Sequence, residues 1–298
     1  MKISVVGGFG FVGRNLINEL LKKNYDEIVS IDIARPDFEI KNYRYIPADT
    51  TSEGSWQDEI STSDAVINLA GATIFKLWSK KYKDLIYKSR IDTTKNIVSA
   101  IDADRETVLI STSAAGYYGD RNSEALYEKS TPGNDFLAEV CKDWEKEALK
   151  AEKKHTRLCI MRFGIVLGKD GGALSQMLPF ARLMLNPVLG SGKNFFPWIH
   201  IEDLINACIF LLENKEARGA FNFTSPGFAT QKEFTRTLGR VLCRPAYLSV
   251  PEFALKLFAG ELGKSLVMSQ KAIPQKLYDC GYKFRYENIE NALENLLK

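Results

Sequence analysis

The chain has 298 residues, 45% hydrophobic and 26% charged, with a formal net charge of +3. That is enough chain to bury a large core, as one α/β unit or as a domain with an appended lobe. The charge is too mild for a nucleic-acid binder, and no apolar run approaches the ~20 residues of a membrane span, so neither partner is expected. The N-terminus lacks the basic-then-apolar pattern of a signal peptide. Cys141, Cys159, Cys208, Cys243 and Cys280 are odd in number and form no C-x-x-C, which reads as reduced thiols in a cytoplasmic protein. The two histidines, His155 and His200, lie far apart, and no metal site is expected.

The first run, Met1 to Val6, is short and β-branched and predicts a buried strand. Arg14 to Lys23 carries Leu16, Ile17, Leu20 and Leu21 at helical spacing. Between them lie Gly7, Gly8, Gly10 and Gly13, which fit both G-x-G-x-x-G and G-x-x-G-x-x-G. Glycines at a strand-to-helix turn permit the tight bend, the approach of a pyrophosphate, and close helix–strand packing. The helix N-terminus, with Phe11 and Val12 in its opening, offers free N–H groups to phosphate. The next strand, Glu27 to Asp32, closes on an acid about 20 residues past the last glycine, where a dinucleotide fold holds its ribose.

Tyr43 to Ile46 predicts a third strand, followed by Asp49 and Thr50. Asp64 to Gly71 predicts a fourth, ending after Leu69 in Ala70-Gly71, small residues that suit close contact with a flat adenine or a ribose. A long helix is expected over 78–101, then a strand over Thr107 to Ser113 with a hydroxyl-rich end that includes Ser111. Residues 135–154 are helical, with Phe136, Val140, Trp144 and Ala148 in an i, i+4 stripe, and Leu158 to Phe163 is a sixth strand. This alternation implies a Rossmann-like, doubly wound parallel sheet with right-handed crossovers and ligands beyond the carboxyl ends of its strands. The expected cofactor set is Gly7, Gly10, Phe11, Val12, Gly13, Asp32, Asp49, Leu69, Ala70, Gly71 and Ser111.

From about residue 170 the pattern changes. Gly171-Gly172 opens a helix, Asn186 to Pro197 is a glycine- and proline-rich loop, and Trp198 to Asp203 leads into another helix. Gly219 to Thr224 is a strand, Thr230 and Glu233 form a capping box, and Pro251 suits the first position of a further helix. The expected division is a dinucleotide-binding domain over 1–170 and a smaller C-terminal α/β lobe over 171–298 that binds substrate, with part of its chain returning to the sheet.

Taken together, these residues resemble the extended short-chain dehydrogenases/reductases, in their atypical "epimerase family" branch, which is similar to nucleotide-sugar epimerases. The resemblance rests on Gly7 to Gly13, Ile67 to Ala72, Ser89-Arg90, Ser113 to Gly119, Asp135 to Cys141 with Trp144-Glu145, Gly164 to Leu167, and Trp198 to Ile201. Gly260-Glu261, Ser269-Gln270, Pro274 and Gly281 to Phe284 extend it over nearly the full length. It implies a nicotinamide cofactor and a small-molecule substrate, and is compatible with a homodimer.

The usual catalytic set of that group is incomplete here. Its members use a tyrosine and a lysine four apart on one helix, the lysine lowering the tyrosine pKa. None of the 12 tyrosines has a lysine four residues on. With Glu145 as anchor, the pair falls on Leu137 and Cys141, and the usual asparagine falls on Arg90; the serine persists as Ser113. Tyr117 and Tyr118 are the candidate replacements for the proton-transfer group. Arg90 and Arg162 suit an anionic substrate group because a guanidinium is a rigid bidentate fork, and His200 is a candidate for the pocket wall. Asp32 favours NAD over NADP, since relatives that take NADP commonly place arginine there; Arg35 is the counterweight. Two functions follow: an NAD(P)-dependent oxidoreductase or epimerase-like enzyme, and a non-catalytic dinucleotide-binding sensor or regulator.

Overall fold

A computed structural model describes residues 1–33, 43–245 and 248–298. Arg35 lies outside the described residues. The chain opens with β1 (Lys2–Val6), α1 (Phe11–Leu20), β2 (Glu27–Asp32), β3 (Tyr43–Pro47), α2 (Gln57–Ser61) and β4 (Ala65–Asn68). There follow α3 (Lys80–Ala100), β5 (Thr107–Ala114), β6 (Ala125–Leu126), α4 (Phe136–Leu149), β7 (Thr156–Phe163), β8 (Ile165–Gly168) and α5 (Gly172–Arg182). The remainder comprises β9 (Val188–Leu189), β10 (Trp198–His200), α6 (Ile201–Glu213), β11 (Gly219–Phe223), α7 (Gln231–Val241), β12 (Ser249–Val250), α8 (Glu252–Ser265), β13 (Lys271–Ala272), α9 (Gln275–Asp279) and α10 (Ile289–Leu297).

Seven strands form one parallel sheet in the order β11-β7-β5-β4-β1-β2-β3. Its central strands are buried runs of Val, Ile and Leu, as expected where helices cover both faces. One face packs Ile3, Val5 and Ile67 against Leu16 and Leu20 of α1 and Leu204 of α6. The other packs Val29, Val66 and Leu109 against Ile97 of α3 and Ala148 of α4. From β1 the chain runs outward through β2 and β3, then crosses back to β4 on the other side of β1. The sheet's switch point therefore lies between β1 and β4, and a crevice opens beyond their carboxyl ends.

Two boundaries differ from the sequence pattern for local reasons. The first helix starts at Phe11 rather than Arg14, because the turn is complete at Gly10, whose extended backbone (φ −62°, ψ 167°) makes it the N-cap. The fourth strand stops at Asn68 rather than Gly71. The Leu69 N–H still reaches the Val6 carbonyl at 2.8 Å, but Asn68 turns its side chain back to accept from the Ala70 N–H at 3.2 Å, which takes Ala70 and Gly71 out of the ladder. The capping box on α7 forms as Thr230 and Glu233 predict, and Pro251 caps α8 from one residue outside it. Among the described residues no helix is long and apolar enough to cross a membrane.

The region after residue 170 is tied to the start of the chain. Gly168, Gly171 and Gly172, at the turn from β8 into α5, form a socket around the Phe11 ring. A Cβ on Gly171 would stand 2.2 Å from that ring, and one on Gly168 2.3 Å. Gly172 has φ +68°, a backbone region that side chains other than glycine rarely adopt. Further along, β11 enters the main sheet beside β7, so residues from both sides of position 170 share one sheet.

Candidate functional site

The crevice at the switch point is floored by the turn from β1 into α1. Gly7 has φ +82°, and a Cβ there would meet the Leu69 and Ala70 backbone at 2.9 Å or closer. A Cβ on Gly13 would lie 2.4 Å from the Gly7 carbonyl oxygen, so this glycine lets α1 close onto the strand end. Gly10 differs from both: a Cβ there would touch only the Gly7 carbonyl oxygen, at 3.3 Å. Its outer side is open. No side chain caps α1, so the N–H groups of its first turn and the positive end of its dipole are left for a ligand.

Asp32 ends β2 beside this turn. Its Oδ2 accepts from the Phe9 backbone N–H at 2.8 Å, which fixes the carboxylate against the glycine loop. Tyr45 closes the same edge, with its ring 5.3 Å from that of Phe9 and its hydroxyl donating to the Asp32 carbonyl. Asp49 is spent locally: its Oδ1 accepts from the backbone N–H and the hydroxyl of Thr51. Leu69, Ala70 and Gly71 line the far side of the crevice, beyond β4. Ser111 lies deeper, 1% exposed within β5.

On the β5 side the wall is α4. Its start is fixed by Asp135, whose carboxylate accepts from the Leu137 and Ala138 N–H groups. Leu137, Cys141 and Glu145 fall on successive turns, and the last two are buried. Ser113, at the end of β5, donates to Glu145 Oε1 at 2.7 Å. Arg162, its neighbour in register on β7, grips the same carboxylate with Nε at 2.8 Å and Nη2 at 2.7 Å. Its remaining terminal nitrogen donates to the Tyr118 hydroxyl at 2.9 Å and to the Glu128 carbonyl. Tyr118 in turn donates to Asn222 Oδ1 at 2.7 Å. The result is a closed polar network, with Arg162 4% and Glu145 7% exposed. Such a pair is costly to break, because a lone charge would remain in the interior.

The structure separates the residues that the sequence groups as catalytic or substrate-binding. Tyr118 has no exposed surface, and burial pushes its hydroxyl up to about 12. Tyr117 is half-buried, with the Arg162 guanidinium 3.6 Å above its ring; burial raises its pKa and the cation opposes the rise. Cys141 is a buried thiol pushed up to about 12 by desolvation, a poor nucleophile. Arg162 is committed to Glu145 rather than presented to a ligand. His200 is fully buried away from this wall. Its Nδ1 accepts from the Glu202 N–H as the N-cap of α6, its ring stacks on Tyr286, and burial brings its pKa down to about 4. Arg90 is largely buried, reaching from α3 across the exposed Gly71 to donate to the Ala72 carbonyl at 3.0 Å. Sequence reasoning used Glu145 only as an alignment anchor. Its only signal in the sequence is a carboxylate one turn past Cys141 and next to Trp144 of the apolar stripe.

The sequence of the NAD dependent epimerase/dehydratase family matches residues 3–223, most of the chain. The chain belongs to that family. Residues 250–296 match a domain of unknown function, DUF1731. The chloroplastic "epimerase family protein SDR39U1 homolog" of Arabidopsis thaliana is 39% identical over 305 residues, spanning 100% of this chain and 87% of that protein. An epimerase family protein of Staphylococcus haemolyticus is 37% identical over 98% of both chains. Among solved structures, the human epimerase family protein SDR39U1 with NADPH superposes with a TM-score of 0.85 at 28% identity, covering 99% of each chain. UDP-glucuronic acid 4-epimerase from Bacillus cereus, with UDP-glucuronic acid and NAD, gives 0.78 at 20% identity over 99% of this chain and 98% of that one. The latter likeness is one of fold.

Proposed function

We propose that this protein is an NAD-dependent oxidoreductase of epimerase type, acting on a small molecule with a proton-transfer group other than the usual tyrosine–lysine pair. The observation that carries the reading is the open cradle: uncapped α1, Gly10 with a free outer side, and Asp32 fixed to the Phe9 N–H. These residues fit a dinucleotide. The N–H groups of the first turn of α1 would hold the pyrophosphate, Asp32 the adenosine ribose, and Leu69–Gly71 the flat part between β1 and β4. The solved human relative with NADPH supports a nicotinamide dinucleotide as the cofactor class. When bound, that group supplies a hydride donor or acceptor. Asp49, taken up by Thr51, and Ser111, buried within β5, take no direct part in this reading.

Proton transfer needs a side chain with both access and a titratable group. Leu137 has no such group, and Cys141 is held as the neutral thiol. Tyr118 is locked at its hydroxyl. Tyr117 is partly open and lies under a cation that favours its ionised form, so it is the tyrosine assigned to the proton. Ser113 acts with it by holding Glu145, and through Glu145 it holds Arg162 in place above the Tyr117 ring. The locked Tyr118 and absent tyrosine–lysine pair support a second reading, a non-catalytic sensor of the dinucleotide.

NAD is the assigned cofactor rather than NADP. Asp32 can accept bonds from both ribose hydroxyls, and charge-assisted bonds contribute about 1.5–3 kcal/mol. A 2′-phosphate would set negative charge against it. Titration calorimetry with NADH and NADPH tests this: NADH is expected to bind ~10²-fold tighter, each factor of ten being about 1.4 kcal/mol. Equal affinities, unchanged in Asp32→Ala, would overturn the assignment.

A further inference from the structure

Three arginines reach into the interior, and their partners differ. Arg162 meets both oxygens of Glu145. Arg157 donates to the Leu211, Leu212 and Ala217 carbonyls, at the C-terminal end of α6 where the helix dipole is negative. Arg90 has neither arrangement. Its donors reach the carbonyl of Ile86 in its own helix and that of Ala72, both at 3.0 Å. Among the described residues no carboxylate lies within ion-pairing distance of it. Its guanidinium carbon also lies 5.2 Å from the Trp144 ring. A guanidinium has five N–H groups, and two carbonyls leave its charge uncompensated.

Place gives this imbalance a meaning. The guanidinium flanks Gly71, which is exposed, and a Cβ on Gly71 would come within 3.1 Å of its central carbon. With no side chain at Gly71, the Nε and Nη2 side of the fork is left uncovered there, and among the described residues the Nε–H has no acceptor. The site is formed by α3 and the chain just past β4, whereas the uncapped N-terminus of α1 follows β1. The pyrophosphate of a dinucleotide has its donors at α1 and does not need this second cation.

We propose that Arg90 is the receptor for a carboxylate on the substrate, which makes that substrate a small carboxylic acid. The proposal rests on the crevice between β1 and β4 being the ligand site, as in the proposed function. The ligand's carboxylate takes two parallel N–H···O bonds from the fork and completes the charge that the fold leaves open.

The test uses malonate as probe and its neutral diamide, malonamide, as control. Calorimetry and thermal shift are run on the full-length protein, with and without saturating NADH. Malonate is expected to bind and malonamide not to bind. Arg90→Gln should weaken malonate at least tenfold while changing the NADH dissociation constant less than twofold. Gly71→Ala, measured without NADH, keeps the cation but crowds the Nε and Nη2 side of the fork and should also lose malonate; it serves if Arg90→Gln does not fold. Malonate that fails to bind, or binds Arg90→Gln equally well, overturns the proposal. So does a tenfold loss of NADH affinity in Arg90→Gln, which would make the anion a phosphate of the cofactor. If NADH fails to bind but malonate binds through Arg90, the cofactor reading falls and the carboxylate site stands.

Discussion

The glycine cradle, at the ends of β1 and β2, and the α4 wall, at the ends of β5 and β7, stand on either side of β4 in one sheet, and they are built in opposite ways. The cradle is backbone: glycines, unclaimed N–H groups, and one carboxylate anchored to a main-chain donor. The wall is side chain: Ser113, Glu145, Arg162, Tyr118 and Asn222 satisfy one another. An open backbone site leaves its bonds for a ligand, whereas a closed network spends them on the fold. Under the proposed function, cofactor capture and proton transfer would depend on different kinds of residue, and substitutions should separate the two.

The largest effect belongs to the wall. Glu145→Ala strands the Arg162 charge in the interior, and such losses run to about 3–5 kcal/mol. Chemical denaturation should show that loss, while the residual folded protein keeps its affinity for NADH. Weakened NADH binding with intact stability would erase the distinction between wall and cradle.

The cradle should answer in reverse. Gly10→Val places its side chain where little protein stands, so the ligand-free melting temperature should hardly move. At NADH one hundred times its Kd, the parent protein gains about 2.7 kcal/mol. At this size that is a rise of several degrees, on the order of 2–4 °C per kcal/mol. The variant should show no rise. A preserved shift would mean that the pyrophosphate does not approach at Gly10.

A finer contrast lies between adjacent tyrosines. Tyr117→Phe should reduce turnover ~10²-fold or more, the usual size for a lost proton-transfer group, with stability kept. Tyr118→Phe removes a buried hydroxyl that serves Arg162 and Asn222, and should cost about 1–3 kcal/mol of stability. The opposite pattern, measured by turnover and by denaturant midpoint, would exchange the two assignments.

The same contrast explains what could be read from the sequence. The cradle is local: strand, glycines, helix and Asp32 lie within one short stretch, and their spacing states the geometry. The strand alternation likewise gave the parallel sheet. Short pairings such as β6 with β13 and β8 with β10 left no periodic signal, being two to four residues long. The wall is assembled from residues 113, 118, 145, 162 and 222, distant in the chain. Nothing in sequence tells that Arg162 faces a carboxylate while Arg90 does not, since each is one arginine among apolar or polar neighbours. Likewise His200 looks like a pocket residue beside Trp198, and only packing shows it capping a helix.

The Phe11 socket sets a limit on how this chain can be recombined. The ring belongs to the first residue of α1, after the glycine loop, and two of the three glycines that receive it belong to the turn into α5. A cut at position 170 parts Gly168 from Gly171 and Gly172 and leaves a large aromatic ring on one fragment without its receptacle. A chimaera that borrows the region after 170 for another scaffold must bring an aromatic ring at the first residue of α1, or close the socket with side chains. The portable unit is thus loop and turn together, and the joint suited to exchange lies elsewhere in the chain.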